Sequence, residues 1–252
     1  DRFNLPYVIT DWKSAEMIKY ASNDFLALKI SYINEIANLC EITGANIDDV
    51  SLGMGMDQRI GNRFLNPGVG YGGSCFPKDT KALHWLANFH DYELKAIKAA
   101  IEVNENQKLK LIKKARKYFE SFKGVNIAIL GLTFKPCTDD LREAPSLQNI
   151  PVLIEDGANI KAWDPAGAEN YKKLYPDITY CESIEETLKD ADLCMIFTEW
   201  PEIKKLDMKT FARRMRRPLV IDGSNCYKLE AAAEAGIIYE SIGRRTIQAS
   251  RL

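Results

Sequence analysis

The sequence predicts an α/β protein in two parts, an all-helical domain over residues 1–120 and a doubly wound parallel α/β domain over residues 121–252. Two patterns support this fold class. Apolar residues recur at helical spacing through residues 14–40, a stretch without glycine or proline. After Gly124, short apolar runs alternate with helical segments, which is typical of a parallel sheet covered by helices. We therefore place the domain boundary at residues 121–124.

The helical domain is predicted to contain two long helices and two shorter ones. The first helix takes Ser14 as its N-cap and ends at Gly44, because serine caps helix starts and glycine tolerates the left-handed conformation at helix ends. The last would be roughly 40 Å long. Two interpretations of the long helices stay open: packing against a second subunit, or an intramolecular bundle. The predicted helices cover residues 14–40, 46–55, 78–89 and 92–119.

The α/β domain is predicted to contain five strands with helices between them. In such sheets a ligand lies beyond the carboxyl ends of the strands. The first strand is followed by a single glycine, Gly131, so a nucleotide there would be held by side chains, with Lys135 and Arg142 as anion ligands. An α/β fold without a nucleotide, with both cations on the surface, is the alternative. The predicted strands cover residues 125–131, 159–164, 192–198, 218–223 and 236–242, and the helices cover residues 146–157, 183–191, 207–215 and 229–236.

Composition excludes several classes of function. The chain has 34 basic and 35 acidic residues, a balance that offers no overall field to attract nucleic acid or an anionic membrane. No apolar run approaches the roughly 20 residues of a membrane span, and the first residues do not have the order of a signal peptide. We expect a cytoplasmic protein with neither nucleic acid nor membrane as a partner.

The six cysteines never occur in a C-x-x-C spacing, and the chain has two histidines. Zinc sites need clustered cysteine and histidine ligands. We expect no metal site, and we interpret the cysteines as mostly reduced thiols.

The most unusual segment is GVGYGG, residues 68–73, which is followed by Cys75, Lys78 and Asp79. Closely spaced glycines let main-chain N–H groups approach a sugar or phosphate. Cys75 precedes a predicted helix, so the helix N-terminus and Lys78 could both stabilise a thiolate. Asp79 could manage a proton or a water. The pattern indicates a ligand cradle with a nucleophile, although an isolated cysteine is often a small core residue.

Five segments together resemble the UDP-glucose/GDP-mannose dehydrogenase family: SAEMIKYASNDFLALKISYINE, GMDQRIG, GVGYGGSCFPKDTKAL, GLTFKPCTDDLREAPS and ESIGR. The resemblance runs from Ser14 to Arg245, and the cysteine loop is similar to the type that acts on UDP-glucose. It implies a helical central dimerisation domain followed by a Rossmann-like, UDP-sugar-binding domain. It also implies a four-electron oxidation of UDP-glucose to UDP-glucuronate with two NAD+, by way of a thiohemiacetal and a thioester on the cysteine.

The resemblance also implies roles for individual residues. The catalytic group would be Cys75 as nucleophile, Lys19 and Asn23 as oxyanion stabilisers, and Asp79 as the residue that helps to activate water. Arg59 would reach the substrate across a dimer interface, and Lys78 and Arg142 would contact NAD+. The other substrate-binding residues would be Phe64, Leu65, Asn66, Pro67, Gly68, Gly72, Phe134 and Lys135.

The chain departs from the family pattern at three points. Ser224 stands where many relatives have arginine, and Cys137 where relatives often have asparagine. The family begins with an NAD+-binding domain, and residues 1–13 do not supply one, so we expect this chain alone to be inactive. The alternatives are a non-catalytic module for UDP-sugar binding or dimerisation, and a dehydrogenase for another nucleotide sugar.

Overall fold

The computed structural model describes residues 6–248 and confirms the α/β fold class. The first half is helical, with one helix of 32 residues, two of 14 and two shorter ones. The second half contains a parallel sheet in the order β3-β2-β1-β4-β5-β6. The helices of the first half are α1 (Trp12–Thr43), α2 (Ile47–Gly55), α3 (Phe76–Phe89), α4 (Lys95–Lys108) and α5 (Lys110–Ala115).

The sheet half alternates strands and helices as the sequence predicts. All five predicted strands are present, with β1 next to β4 at the point where the strand order reverses. The elements are β1 (Asn126–Leu130), α6 (Ser146–Glu155), β2 (Asn159–Trp163), α7 (Ala168–Lys172), β3 (Thr179–Tyr180), α8 (Ile184–Leu188), β4 (Leu193–Ile196), α9 (Pro201–Lys205), α10 (Lys209–Arg214), β5 (Leu219–Asp222), α11 (Leu229–Ala235) and β6 (Ile238–Glu240).

Three short elements of this half are missing from the sequence prediction: α7, β3 and α9. The strand β3 has two residues and the helices α7 and α9 have five each. Segments this short contain too few residues to show the apolar periodicity of a helix or a strand.

Helix α1 begins at Trp12, two residues before the predicted start. Asp11 is its N-cap, and Asp11 Oδ1 accepts a hydrogen bond from the Ser14 amide at 3.0 Å. The prediction that Ser14 is the cap is therefore wrong, because the aspartate three residues earlier satisfies the free amide. Gly44 does end the helix, in the left-handed conformation with φ 81°.

The predicted helix over residues 92–119 is also wrong in its extent. It starts at Lys95, is interrupted at Leu109, and ends at Ala115. The Lys108 carbonyl, next to the interruption, accepts a hydrogen bond from Asn149 Nδ2 at 2.7 Å. A side chain that binds a carbonyl in this way competes with the helical hydrogen-bond ladder, so the two shorter helices replace one long one.

Helix α1 has an unexpected distribution of side chains. Its buried face includes the polar residues Asp24, Ser31 and Asn34 beside alanines. The large apolar residues, seven positions apart, are exposed instead: Phe25 by 61%, Tyr32 by 49% and Leu39 by 53%. The apolar stripe that predicted this helix is therefore not covered by the described part of the chain.

The helical half and the sheet share one hydrophobic core. Ile33 of α1 and Leu111 of α5 belong to the same cluster of buried side chains as Ile129 of β1 and Ile221 of β5. A second cluster covers the other face of the sheet. A buried ion pair also joins the halves, since Lys114 Nζ contacts Glu41 at 2.9 Å and Glu240 at 3.1 Å. This packing places the helical loops at the carboxyl ends of the strands.

None of the helices within residues 6–248 is both long enough and apolar enough to cross a membrane.

Candidate functional site

The centre of the candidate site is the carboxylate of Asp79, in the first turn of α3. Its side chain has no accessible surface. Lys19 Nζ and Asn23 Nδ2, one turn apart on α1, both donate to Asp79 Oδ2, and the distance from Asn23 is 2.6 Å. Lys78 Nζ donates to Asp79 Oδ1. The structure thus brings together three of the predicted catalytic residues and one predicted cofactor residue.

These contacts determine the charge of Asp79. Burial alone would raise its pKa, but the hydrogen bonds from Lys19, Lys78 and Asn23 outweigh burial and hold the pKa at about 2. Asp79 is therefore ionised at neutral pH. Two ammonium groups face this one carboxylate, and their side chains are about half exposed, 51% for Lys19 and 60% for Lys78.

Cys75 is the N-cap residue of α3 and is exposed. The helix starts at Phe76, two residues before the predicted start, which puts the thiol directly at the helix N-terminus. The Asp79 amide donates to the Cys75 carbonyl at 2.9 Å, so the two residues are one helical turn apart at the start of α3. The helix macrodipole favours a negative charge at this position. The Lys78 ammonium, expected to stabilise the thiolate, is bound to Asp79 instead.

The glycine loop is held by the protein's own groups. The Gly68 amide donates to Asn34 Oδ1 at 2.8 Å, the Tyr71 amide to Asn104 Oδ1 at 2.7 Å, and the Gly73 amide to the Arg142 carbonyl at 2.7 Å. These three amides are not free for a sugar or phosphate, in contrast to the expected cradle.

Two of the glycines are needed for close packing against the sheet half. A Cβ added at Gly72 would lie 2.4 Å from the Glu143 carbonyl oxygen. At Gly73 it would lie 2.7 Å from the Phe134 ring, and this residue also has φ +80°. Any larger side chain would separate the loop from the segment after β1. The loop and that segment therefore form a single wall beside Cys75.

A cleft of 390 Å³ lies at the carboxyl ends of β1, β4 and β5, where the sheet predicts a ligand. Asn66, Pro67 and Gly68 line it from the helical half, and Phe134 and Lys135 from the sheet half. The structure therefore brings together predicted substrate residues that are almost 70 positions apart. Ser224 also lines the cleft, and its hydroxyl donates to the Phe197 carbonyl at 3.0 Å.

The sequence analysis did not single out three charged residues that line this cleft, Asp48, Glu199 and Lys204. Glu199 and Lys204 form an ion pair with each other. Glu199 lies three residues after the end of β4, so its position beyond a buried strand was the available signal. Lys204 lies on α9, a helix that was not predicted.

The remaining predicted substrate residues lie in different surroundings. Phe64 lines a wide groove of 1040 Å³ together with Asn66 and Pro67. The Leu65 side chain is buried in the core, 2% exposed, and its carbonyl accepts a hydrogen bond from Ser51. The Arg59 side chain is 89% exposed and pairs with Asp57. Its predicted contact across a subunit interface stays a prediction.

The two predicted cofactor residues, Lys78 and Arg142, line a separate cleft of 600 Å³ beside Ser74. Lys81 adds a third cation to its rim. Arg142 pairs with Asp140 and its side chain is 68% exposed. Each of the three cations is paired with a carboxylate, and Glu143 also lines the cleft. Cations beside a cleft can bind the pyrophosphate of a dinucleotide, which would compete here with those carboxylates.

The fold and the site together define an α/β protein that has a cleft at the carboxyl ends of its strands and an exposed thiol beside a charged cluster. Comparisons with known proteins identify the family. The model of the central domain of the UDP-glucose/GDP-mannose dehydrogenase family matches residues 13–106, and that of the family's UDP binding domain matches residues 128–229. The chain belongs to the UDP-glucose/GDP-mannose dehydrogenase family.

Two curated relatives come from Bacillus subtilis. The chain is 48% identical to the UDP-glucose 6-dehydrogenase YwqF over 97% of its own length and 56% of that protein. It is 46% identical to the UDP-glucose 6-dehydrogenase TuaD over 98% of its own length and 54% of that protein. The chain thus spans about half the length of the curated relatives it matches.

Solved structures show the same similarity. A UDP-glucose dehydrogenase from Pyrobaculum islandicum superposes with a TM-score of 0.86 at 34% identity, covering 96% of this chain and 54% of that one. An NDP-N-acetyl-D-galactosaminuronic acid dehydrogenase from Methanosarcina mazei superposes with a TM-score of 0.80 at 28% identity, covering 92% of this chain and 51% of that one.

Proposed function

We propose that this chain carries the catalytic thiol and the sugar-nucleotide cleft of a UDP-glucose 6-dehydrogenase, which oxidises UDP-glucose to UDP-glucuronate with two NAD+. The observation that carries the proposal is the position of Cys75, exposed at a helix N-terminus one helical turn before Asp79. Bacterial relatives at 48% and 46% identity support UDP-glucose as the substrate.

In this proposal Cys75 is the nucleophile that holds the sugar between two oxidations. Its thiolate adds to the C6 aldehyde and gives a thiohemiacetal, with no net oxidation. Loss of a hydride and of the hydroxyl proton converts the thiohemiacetal to a thioester. Water then hydrolyses the thioester to a carboxylate and regenerates the thiol. The exposed Lys19 ammonium stabilises the oxyanion that forms at each addition.

Asp79 has a different role from that of a base. A carboxyl whose pKa is about 2 is a weak proton acceptor near neutral pH. Its three donors hold it firmly, so in this proposal Asp79 orients Lys19 and Asn23 towards the reacting carbon. The predicted activation of water would then depend on the amine that Asp79 positions.

For the substrate, the cleft at the strand ends would hold the UDP group. Phe134 offers an aromatic face, and the Lys135 ammonium lies 5.3 Å from the centre of that ring. Lys204 lines the same cleft as Ser224, the position at which many relatives have arginine. The Lys204 ammonium can therefore supply a positive charge to the cleft in place of that guanidinium. The segment from Phe64 to Gly68, with Gly72, would bind the sugar between this cleft and Cys75.

NAD+ fits the cationic cleft between α3 and the segment after β1, where Lys78 and Arg142 would hold its phosphates. When bound, NAD+ accepts a hydride from C6 in each of the two oxidations. The chain's own contribution is to hold that carbon through Cys75 and to stabilise the charge on its oxygen through Lys19.

The exposed apolar stripe of α1 supports a homodimer. Phe25, Tyr32 and Leu39 are seven residues apart and project from one side of the helix. A contiguous apolar surface of this kind is typical of a subunit interface. The exposed Arg59 would then be available to a neighbouring subunit's sugar site.

The test measures NADH formation with UDP-glucose, for the 252-residue chain and for the full coding sequence that contains it. We expect two NADH per UDP-glucose from the longer protein, and almost none after Cys75→Ser. Cys137→Ser, which changes the other exposed thiol, is the matched control and should keep turnover. Equal turnover in both variants would exclude Cys75 as the nucleophile.

A second candidate is a dehydrogenase for an N-acetylated nucleotide sugar. The likeness to the Methanosarcina mazei protein favours it, although the identity is lower, 28%. Assays with UDP-N-acetylmannosamine and UDP-N-acetylgalactosamine beside UDP-glucose distinguish the two. A higher kcat/KM for an N-acetylated sugar would replace UDP-glucose with that substrate.

A further inference from the structure

Asp24 is a second carboxyl of the site, next to Asn23 on α1, and the proposed mechanism does not use it. It is 2% exposed, and both of its carboxylate oxygens lack a hydrogen-bond partner within residues 6–248. Burying an ionised carboxylate without partners costs several kcal/mol. A buried group of this kind therefore needs an explanation.

Charged and titratable groups on α1, on α3, in the glycine loop and on α4 surround Asp24. On α1 itself Lys19 attracts it, and on α3 Asp79 repels it, with Lys78 bound to Asp79 Oδ1. The glycine loop adds the buried Tyr71 hydroxyl, which also has no partner in the described chain. Helix α4 contributes Glu105, whose charge acts on Tyr71.

Burial raises the pKa of Asp24 to about 6, with repulsion from Asp79 in the same direction and attraction to Lys19 opposed. The carboxyl therefore changes its charge close to neutral pH. The four charged groups Lys19, Lys78, Asp79 and Asp24 carry a net charge of zero when Asp24 is ionised. They carry one positive charge when it is protonated.

We propose that Asp24 is a positioning residue that adjusts the charge of this cluster by binding a proton when a negative charge forms at Cys75 or at C6. The proton comes from solvent or from the group that has just lost it, and only the O–H bond of Asp24 forms. When the negative charge disappears, the proton leaves again. The proposal depends on the proposed function only in taking Cys75 as the nucleophile.

The first experiment follows the alkylation of Cys75 by iodoacetamide between about pH 5 and pH 8, with peptide mass spectrometry as the readout. Asp24→Asn has a permanently neutral group of the same shape. We expect the rate for Asp24→Asn divided by the wild-type rate to be one at the acidic end. It should rise to about two- to fourfold at the basic end, where only the wild type has lost the positive charge.

Glu35→Gln is the matched control, because Glu35 is an exposed carboxyl on the same helix, 11 positions further on. Its rate ratio should stay at one. A ratio for Asp24→Asn that does not change with pH would overturn the proposal, as would the same change in the control. NAD+ and UDP-glucose are not needed, so this result is independent of whether the protein is a dehydrogenase.

A second experiment leaves Asp24 in place, in case its replacement prevents folding. In a Cys137→Ala background, Cys75 is alkylated either with iodoacetate, which adds a carboxylate, or with iodoacetamide, which adds a neutral group. The titration midpoint of Asp24 is then measured by 13C NMR. Because coupling is reciprocal, we expect the midpoint to be higher by about 0.3–0.6 pH units with the carboxylate. Equal midpoints would contradict the proposal.

Discussion

Lys108 and Glu143 form an ion pair of 2.7 Å that connects α4 with the segment after β1. The Lys108 side chain has no accessible surface, and Glu143 also pairs with Lys81 of α3 at 2.9 Å. The Glu143 main chain is the part that Gly72 contacts. This one carboxylate therefore holds the wall beside Cys75 against both helices.

Replacing Glu143 by glutamine should destabilise the protein by about 1–3 kcal/mol, because it leaves the buried Lys108 ammonium with Glu105 alone. Denaturant unfolding measures the effect. Glu155→Gln, at an exposed position of α6, should change the free energy of unfolding by less than about 0.5 kcal/mol.

The effect of Glu143 should depend on pH. Hydrogen bonds from Lys108 and Lys81 lower its pKa from 4.5 to about 2, against the opposing effect of burial. A lowered carboxyl pKa stabilises the native state above the unfolded value, and this contribution is lost as the pH falls through the folded value. The difference between wild type and Glu143→Gln should therefore shrink between about pH 4.5 and pH 2. A constant difference would show that the charge is unimportant.

Cys75 should react with iodoacetamide sooner than the four cysteines that are not exposed. Burial raises the pKa of Cys194 and of Cys226, so their thiols stay protonated. Cys137 is exposed as well and should also react, so speed alone does not identify the nucleophile.

Ligand protection is the sharper measurement. UDP-glucose should slow the alkylation of Cys75 more than UDP does, because only the former places a sugar at the thiol. Protection of Cys75 to the same degree by both ligands would place the sugar elsewhere.

Phe25→Asp should convert a dimer into a monomer, because it puts a charge in the middle of the exposed apolar stripe of α1. Analytical ultracentrifugation at micromolar concentration measures the mass. Leu174→Asp, at a residue that is 55% exposed in the sheet half, is the matched control and should leave the mass unchanged. A wild-type protein that sediments as a monomer would contradict the proposed homodimer.

Asp24→Asn should change stability in a pH-dependent way. The pKa of Asp24 is about 6 in the native state, compared with 3.8 for an ordinary aspartate, so wild-type stability falls as the pH rises from about 4 through 6. The free energy of unfolding of the variant, relative to that of the wild type, should therefore rise by about 2–3 kcal/mol from about pH 4 to above pH 6. Thermal unfolding at several pH values measures this gain, and Glu35→Gln should show none.

The two-part α/β fold could be predicted because its signals are local and periodic. Five strands are apolar runs, and α1 has a helical period over its whole length. The break at Leu109 could not be predicted, because it coincides with a contact to Asn149, 41 positions away from the Lys108 carbonyl. In the same way, the apolar residues of α1 gave its period correctly, but they did not show that several polar residues of the helix are buried while several large apolar ones are exposed.

The candidate site was predictable to the extent that its residues occur in recognisable segments. Lys19, Asn23 and Asp79 were selected from the sequence, and the structure brings them together. The position of the Lys78 ammonium was not predictable, because Asp79, its neighbour in the chain, competes with Cys75 for it. Asp24 was passed over, since nothing in the sequence shows that its carboxyl is buried without a partner.

The close fit between the glycine loop and the segment after β1 restricts how evolution or engineering can recombine these proteins. Gly72 and Gly73 belong to the first half of the chain, whereas Phe134 and Glu143, which they contact, belong to the second. A hybrid that joins halves of two relatives near residues 121–124 would combine surfaces that have not adapted to each other. Compatibility at these four positions, rather than at the linker, should decide which hybrids fold with an intact pocket.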